Sequence, residues 1–361
     1  MGKSKKFLEN YLNAYSPVAQ ETEGQNIWIN YVKDFADVVK LDAYGTAYAI
    51  KKRNNRDKSI PYKVVIEAHC DEIAWIVTYI ESDGFLRVKT HGGSDNMIAP
   101  SKTVLVHTHD GKKIPGVFGS PAIHMREKRT DMGSEVHELW VDLGVDSAEK
   151  VKKLGIGVGN IVTFDTEFSE IGDYYVGRSL DNKIGGYIIA ETLKNLKNKD
   201  LPYDLYVVNS VQEEVGLFGA RLIAQTIKPD VALVHDVCHN TNHPNTIKAK
   251  DCDVKGGEGP CVEYTAQNHR KIINLFKSVA EENDIKLQDT IGSYGNDTVS
   301  FFLENIPTAI LASPLKYMHT TVEMVHKKDV KNAIEIFTKS LEKITPEWID
   351  DVKNPKISFK Y

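Results

Sequence analysis

Beyond Gly177 the chain alternates two kinds of segment, and that alternation restricts its fold more than any other feature. LDNKIGGYIIAETLKNLKN (180–198) has helical spacing, YDLYVVNSV (203–211) is an apolar run, LFGARLIAQTI (217–227) is helical again, and DVALVHD (230–236) is apolar. NHRKIINLFKSVAEEN (268–283) then places Ile272, Ile273, Phe276, Val279 and Ala280 on one helical face. PTAILAS (307–313) reads as a strand and KKDVKNAIEIFTKSLEKI (327–344) as a closing helix. Strands alternating with helices imply a largely parallel sheet with helices on both faces.

The first 165 residues add a second theme. QNIWINYVKDFADVV (25–39) repeats apolar residues at helical spacing, and YKVVIEAHCDE (62–72) is a β-branched run closing on His69 and Asp71. From Ile73 to Asp165 short runs such as FLRVKT, TVLVHT and IPGVF are separated by the turn dipeptides Asp83-Gly84 and Asp110-Gly111. Hairpins in a small all-β module follow from that pattern. The polar stretch HMREKRTDMGSEVHE (124–138) reads as a loop within it. At 361 residues the chain exceeds a usual single domain. The expected fold class is therefore α/β: one mostly parallel-sheet domain from residues 1–72 and 166–361, with an inserted β-barrel-like domain at 73–165.

Composition removes several function classes. A net charge of −5 without a Lys/Arg block argues against a nucleic-acid or membrane-surface partner. No run of about 18 apolar residues is available to span a membrane. The N-terminal MGKSKKFLENYLNAYS is basic but lacks the apolar core of a secretory leader, and Lys6 breaks the myristoylation pattern. Cys70, Cys238, Cys252 and Cys261 show no CxxC spacing, as expected of reduced thiols in a cytoplasmic protein.

Donor-type residues recur at one kind of place. His69 ends VVIEAH, Glu213 and Glu214 follow LYVVNSVQ, Asp236 ends VALVHD, and His319 lies just beyond TAILA. The carboxyl ends of parallel strands share one rim, where ligands bind in open α/β sheets. Asp181, at the start of a helix in VGRSLDNKIGG, can lean into the same crevice. Two histidines and several carboxylates suit Zn²⁺, with Co²⁺ or Mn²⁺ as alternatives. So many donors fit two ions about 3.5–4 Å apart with a shared carboxylate better than one ion.

The ordered motifs AHCDE, GRSLDNKIGG, VQEEVGLFGA, VHD, the Gly-Pro of GGEGP and LKYMHTTVE resemble those of the M42 aminopeptidases. These are dinuclear metallopeptidases of the glutamyl and tetrahedral, self-compartmentalising types. The resemblance spans nearly the whole chain, the insert included, and makes the larger domain a metallopeptidase catalytic domain. It implies Asp181 as the bridging ligand, Glu214 and His319 completing one metal site, and His69 and Asp236 the other. It implies Glu213 as general base toward a water held between two divalent ions, and Asp71 as the acid that orients the His69 imidazole. Adjacent acids at one strand end can then divide the work, Glu214 on metal and Glu213 on water. The resemblance also implies short peptide substrates and a homo-oligomer, commonly a dodecamer enclosing its active sites.

Three departures stand out. Ala74 replaces a frequent Gly, Lys316 stands where many members carry Arg, and GNDT surrounds Asp297 where other Gly-Thr-Asp arrangements are commoner. None removes a proposed ligand, but Lys and Arg hold carboxylates differently, so Lys316 bears on substrate preference.

Several histidines have simpler readings. His107 and His109 share a strand face in VLVHTHDG and read as exposed strand positions. His235, His239 and His243 are four apart, yet VCHNTNHPN is too rich in turn residues to keep helical spacing. His124 lies where the insert approaches the crevice in the family.

The leading function is metal-dependent removal of N-terminal residues from peptides. One rival is a deacylase acting on N-acylated amino acids with the same metal chemistry. The other is a catalytically silent assembly or binding protein, since a fold alone does not fix function.

Overall fold

The computed structural model describes residues 2–53, 62–126, 138–292 and 295–354. Helices α1 (Lys3–Asn13) and α2 (Thr22–Val32) precede strands β1 (Val38–Leu41), β2 (Ala47–Lys51) and β3 (Lys63–His69). The predicted helix over 25–39 therefore stops early. Val38 and Val39 pair instead with Ile50 and Ala49, because β-branched residues fit a cross-strand surface better than a helix end. Helix α1 went unrecognised in the sequence, although Phe7, Leu8, Tyr11 and Leu12, all buried, carry its apolar stripe.

Between β3 and the second half of the chain lie β4 (Ala74–Ile80), β5 (Leu86–His91), β6 (Thr103–His107), β7 (Lys113–Phe118), β8 (Trp140–Asp142), α3 (Ala148–Lys153) and β9 (Ile161–Phe164). These six strands close into a barrel in the order β4-β5-β8-β7-β6-β9. Both expected hairpins form. Gly84, in the β4–β5 turn, has φ +94°, and a Cβ there would lie 2.6 Å from the Val145 carbonyl oxygen, so only glycine fits. Trp75 fills the barrel, its ring edge-on to Phe118 and Phe164 at centroid distances of 4.9 and 4.8 Å. His107 corrects the sequence reading. It is buried, with Nε2 2.8 Å from Thr163 Oγ1, and burial pushes its pKa down to about 4; His109 alone is exposed, in the turn beyond the strand. Of the polar stretch 124–138, residues 127–137 lie outside the described residues.

The chain continues through β10 (Ser169–Ile171), β11 (Tyr174–Gly177), α4 (Leu180–Leu196), β12 (Asp204–Ser210), α5 (Phe218–Ile227), β13 (Val231–His239), α6 (Lys248–Asp251) and β14 (Cys261–Glu263). It ends with α7 (Arg270–Glu282), β15 (Gln288–Thr290), α8 (Thr298–Leu303), β16 (Thr308–Lys316), β17 (Glu323–His326), α9 (Lys327–Lys343) and α10 (Pro346–Lys353). The large sheet runs β1-β2-β12-β3-β13-β16-β17-β11-β10, with β14 beside β16 and β15 beside β14. Its centre, β12-β3-β13-β16, is parallel. The flanks are antiparallel, so the sheet is mixed and the expectation of a mostly parallel one is corrected. The cause is connection length: β1 to β2, β10 to β11 and β16 to β17 are joined by short turns, which can only reverse the chain.

Alternation along β3 separates two cores. Val64, Ile66 and Ala68 pack with residues of α1, α2, α4 and α9, whereas Val65 packs with residues of α5 and α8. Helices thus cover both faces of the sheet, and burying each such side chain contributes roughly 1.5–3 kcal/mol. The parallel centre is what positions the site. In its register Ser210 lies beside His69, and Asp236 beside Ala312. The carboxyl ends of β12, β3, β13 and β16 form one rim. Among the described residues no helix is long and apolar enough to cross a membrane.

Candidate metal centre

His69 closes β3 with its ring at the rim. Its Nδ1 lies 3.2 Å from the Asp71 carbonyl oxygen and 3.5 Å from Asp71 Oδ1. With the Nδ1 proton directed there, the Nε2 lone pair faces the crevice. It meets Asp181 Oδ1 at 3.4 Å, Asp236 Oδ1 at 3.8 Å and Glu213 Oε2 at 3.9 Å. Asp181 enters from the first turn of α4 and Asp236 from within β13. On the other side His319 Nε2 lies 3.2 Å from Asp181 Oδ2 and 3.3 Å from Glu214 Oε1. His319 Nδ1 donates to the Gly93 carbonyl oxygen at 2.9 Å, so the segment after barrel strand β5 orients this imidazole.

Donor atoms of His69, Asp181 and Asp236 lie within 4.8 Å of one another, as do those of Asp181, Glu214 and His319. Asp181 belongs to both groups, one carboxylate oxygen turned to each histidine. Glu213 stands at the first group without being one of its three donors. The segment that carries Glu213 and Glu214 is fixed by Asp71, whose two carboxylate oxygens accept the backbone N–H groups of Glu213 at 3.0 Å and Glu214 at 3.1 Å. Asp71 therefore lies beside the imidazole and also clamps the acidic pair, a contact that no sequence pattern signalled.

The electrostatics match a cation site. The side chains of Asp181, Glu213, Glu214 and Asp236 are at most 11% exposed. Among the described residues their cationic neighbours within 4 Å are only the two histidines. Burial pushes the carboxyl of Glu213 well above its ordinary range, and Asp236, Asp297 and Glu214 push it further while His69 opposes them. Burial alone would lower the pKa of His319, but Asp181 and Glu214 overcome it and carry the group up to about 12. Acids that draw protons onto both nearby imidazoles lack positive charge, which a bound cation would supply. Imidazole and carboxylate donors in two groups with one shared acid fit two such ions.

Other residues find other places. Glu323, in β17, was not singled out in the sequence although it sits in LKYMHTTVE; its carboxylate accepts the N–H of Asp181 at 3.2 Å and of His319 at 2.8 Å. Asp297 is buried beneath the rim, where Ser210 Oγ donates to it at 3.2 Å and also bonds Glu67. Burial first, then neighbouring acids, raise Asp297 to about 6. His235 is a core residue in β13, held by Asn182 at 3.2 Å and Ser313 at 2.9 Å. His124 is exposed and does not line the crevice; neither does Lys316, whose ammonium lies 5.4 Å from the Tyr174 ring centroid. Nothing in this geometry ties Lys316 to substrate preference.

The crevice opens into a cavity of about 620 Å³ over the donor groups. Its walls include Gly93 from the barrel, Met318 beside His319, Asn296, and Glu263 at the end of β14. Glu263 is buried, and burial first, with Asp236 second, raises its pKa to about 8.

A rim of buried acids and imidazoles above a mixed α/β sheet, with a barrel leaning on one ligand, defines a class of hydrolase that comparison makes specific. Residues 45–336 match M42 glutamyl aminopeptidase, and the chain belongs to that family. It is a peptidase, a hydrolase of peptide bonds. Among its relatives is the lysyl aminopeptidase of Pyrococcus furiosus, 30% identical over 335 residues that cover 89% of this chain and 92% of that one. The structure of aminopeptidase APDkam598 from the archaeon Desulfurococcus kamchatkensis superposes with a TM-score of 0.90 at 31% identity, covering 99% of this chain and 100% of that one. The Pyrococcus horikoshii TET1 peptidase, which can assemble into a tetrahedron or a large octahedral shell, has a TM-score of 0.84 at 27% identity, covering 95% and 100%.

Proposed function

We propose that this protein is a metal-dependent aminopeptidase in which Glu213 acts as general base and general acid during removal of N-terminal residues from short peptides. The observation that carries the reading is the pair of donor groups sharing Asp181, with Glu213 beside them and outside the donor set. His69, Asp181 and Asp236 would hold one divalent ion, and Asp181, Glu214 and His319 the other, Zn²⁺ first, with Co²⁺ or Mn²⁺ as alternatives. When bound, such ions supply polarisation of the scissile carbonyl and acidify water to a pKa of about 7.

The chain's own residues do the rest. The Glu213 carboxylate takes the proton of the attacking water and delivers it to the departing amine. Asp71 holds Glu213 in place through the backbone while keeping the His69 ring turned toward the acids. The Gly93 carbonyl does the same for His319. We assign residues 1–72 and 166–361 to the catalytic domain and 73–165 to the inserted one.

Self-assembly into a homo-oligomer, a dodecamer by analogy with the PhTET1-12s dodecamer, would admit only short or unfolded chains. Four free cysteines agree with work in the cytoplasm. The test is a panel of peptides with free N-termini, assayed with each added ion alongside metal analysis of the protein. Amine release that depends on a divalent ion is expected. A protein that binds none, or releases no amine from any N-terminus, would end this reading.

A further inference from the structure

The family covers enzymes with opposite preferences, since its own description is glutamyl and one relative is lysyl. The wall of the cavity offers a way to decide. Glu263 closes β14, where it pairs with Thr290 of β15, and both residues line the cavity. Glu263 is 3% exposed, and its Oε2 has no hydrogen-bond partner among the described residues. No Lys, Arg or His among the described residues comes within 4 Å of its carboxylate. A buried acid left in this condition is costly, and native proteins keep few without a reason.

The neighbouring backbone leaves room for this carboxylate. A Cβ on Gly292 would lie 1.7 Å from Glu263 Oε2, so any side chain at 292 would displace the acid from its place in the wall. Among the described residues the only lysine in the cavity lining is Lys250, an exposed residue adjacent to Asp251, which also lines it. Both are exposed and opposite in charge, so together they favour neither sign of substrate.

We propose that Glu263 sets substrate preference by binding the ammonium or guanidinium of a basic side chain on the substrate's N-terminal residue. The inference rests on the aminopeptidase reading. Glu263 is outside both donor groups and out of ion-pair reach of His69 and His319, although all three line one cavity. A substrate's α-amino nitrogen is attached to the carbon next to the scissile carbonyl and stays beside those donors. A lysine or arginine head group is carried a full side chain further, toward the wall. There it restores the missing partner of a desolvated acid, an interaction that discriminates more strongly than apolar fit does. A leucine in the same place would leave the carboxylate unpartnered, and a glutamate would add a like charge.

The test measures kcat/KM of the full-length protein on Lys, Arg, Leu and Glu aminoacyl-coumarin amides with added Zn²⁺, Co²⁺ or Mn²⁺, and thermal shifts with free L-lysine and L-norleucine. Lys and Arg substrates are expected to exceed Leu and Glu by at least about tenfold. Glu263→Gln, nearly isosteric and relieved of a buried charge, should lower the Lys-to-Leu ratio by at least about tenfold. Gly292→Ala should lower the same ratio with Glu263 still present. A wild-type preference for Leu or Glu, or a ratio unchanged by Glu263→Gln, would overturn the inference while leaving an aminopeptidase. If no amide is cleaved with any ion, the aminopeptidase reading fails. L-lysine stabilising the wild type more than L-norleucine, and no longer doing so in Glu263→Gln, would then still support the pocket, and equal shifts would overturn that as well.

Discussion

Asp71 and Glu72 are neighbours in the chain, both buried, and they enter opposite kinds of charge cluster. Glu72 is met by the guanidinium of Arg178 and by Lys183 Nζ at 3.2 Å, and it accepts the Ser16 N–H at 2.7 Å. Arg178 in turn lies 3.8 Å from the Tyr15 ring centroid and donates to the Ala14 carbonyl at 3.0 Å. Asp71 faces the other way, to backbone N–H groups and His69, in a cluster with four more acids and, among the described residues, neither Lys nor Arg as an ion-pair partner. The first cluster carries its own cations, two against the one acid. The second is built with a deficit of positive charge. An acid buried with its counter-cations is architecture; acids buried at a crevice without them are a site for something that arrives positively charged.

Changing each cluster in turn tests that contrast. The largest effect is expected at Glu213: Glu213→Gln should reduce kcat by roughly 10²–10⁴-fold while metal content stays as in the wild type. Equal loss of metal and activity would instead make Glu213 a ligand. Glu72→Gln should leave metal content unchanged but destabilise the fold by about 3–5 kcal/mol in denaturant titration, because Arg178 and Lys183 lose their shared acid. Lys183 is itself pushed down by burial more than Glu72 raises it, so the cluster is a balance, not a net gain.

The pH dependence comes next. Burial opposes the charge of Glu72, but Arg178 and Lys183 outweigh it and take the pKa from 4.5 to about 2. A depressed carboxyl stabilises above its unfolded pKa and loses that contribution as pH falls from about 4.5 toward 2, here roughly 3 kcal/mol. Acid unfolding followed in wild type and Glu72→Gln should differ over that window and converge below it. The smallest effect is expected at the clamp. Asp71→Ala should weaken divalent-ion affinity by about 10–100-fold, measured by calorimetry, through His69 and the Glu213–Glu214 backbone. Unaltered affinity would show that Asp71 serves only the loop.

Much of the rim was legible because it follows from local rules. Apolar runs closing on His69 and Asp236, and the acidic pair after β12, mark strand ends, and parallel strands bring such ends together. What escaped were contacts made across the fold. Gly93 reaches His319 from the barrel, Glu323 gathers two loops from a hairpin strand, and His107 turns inward because the barrel closes around it. None of these has a periodic or motif signature, since each depends on where a distant segment comes to rest. The helix expected over 25–39 failed for a related reason, its last residues being claimed by pairing with β2.

By itself the amino-acid order determined the alternation of strands and helices, the hairpins of the insert (though not the helix α3 that the barrel also carries), and which side chains stand at strand ends, because periodicity and turn chemistry are local. Tertiary structure alone decided that antiparallel flanks enclose a parallel centre of the sheet, that the Gly93 carbonyl of the barrel side orients His319, and that Glu263 lies buried in the cavity wall with no hydrogen-bond partner for its Oε2 among the described residues. Charge deficit and burial arise from the whole packing around a residue, and no stretch of neighbouring sequence contains them.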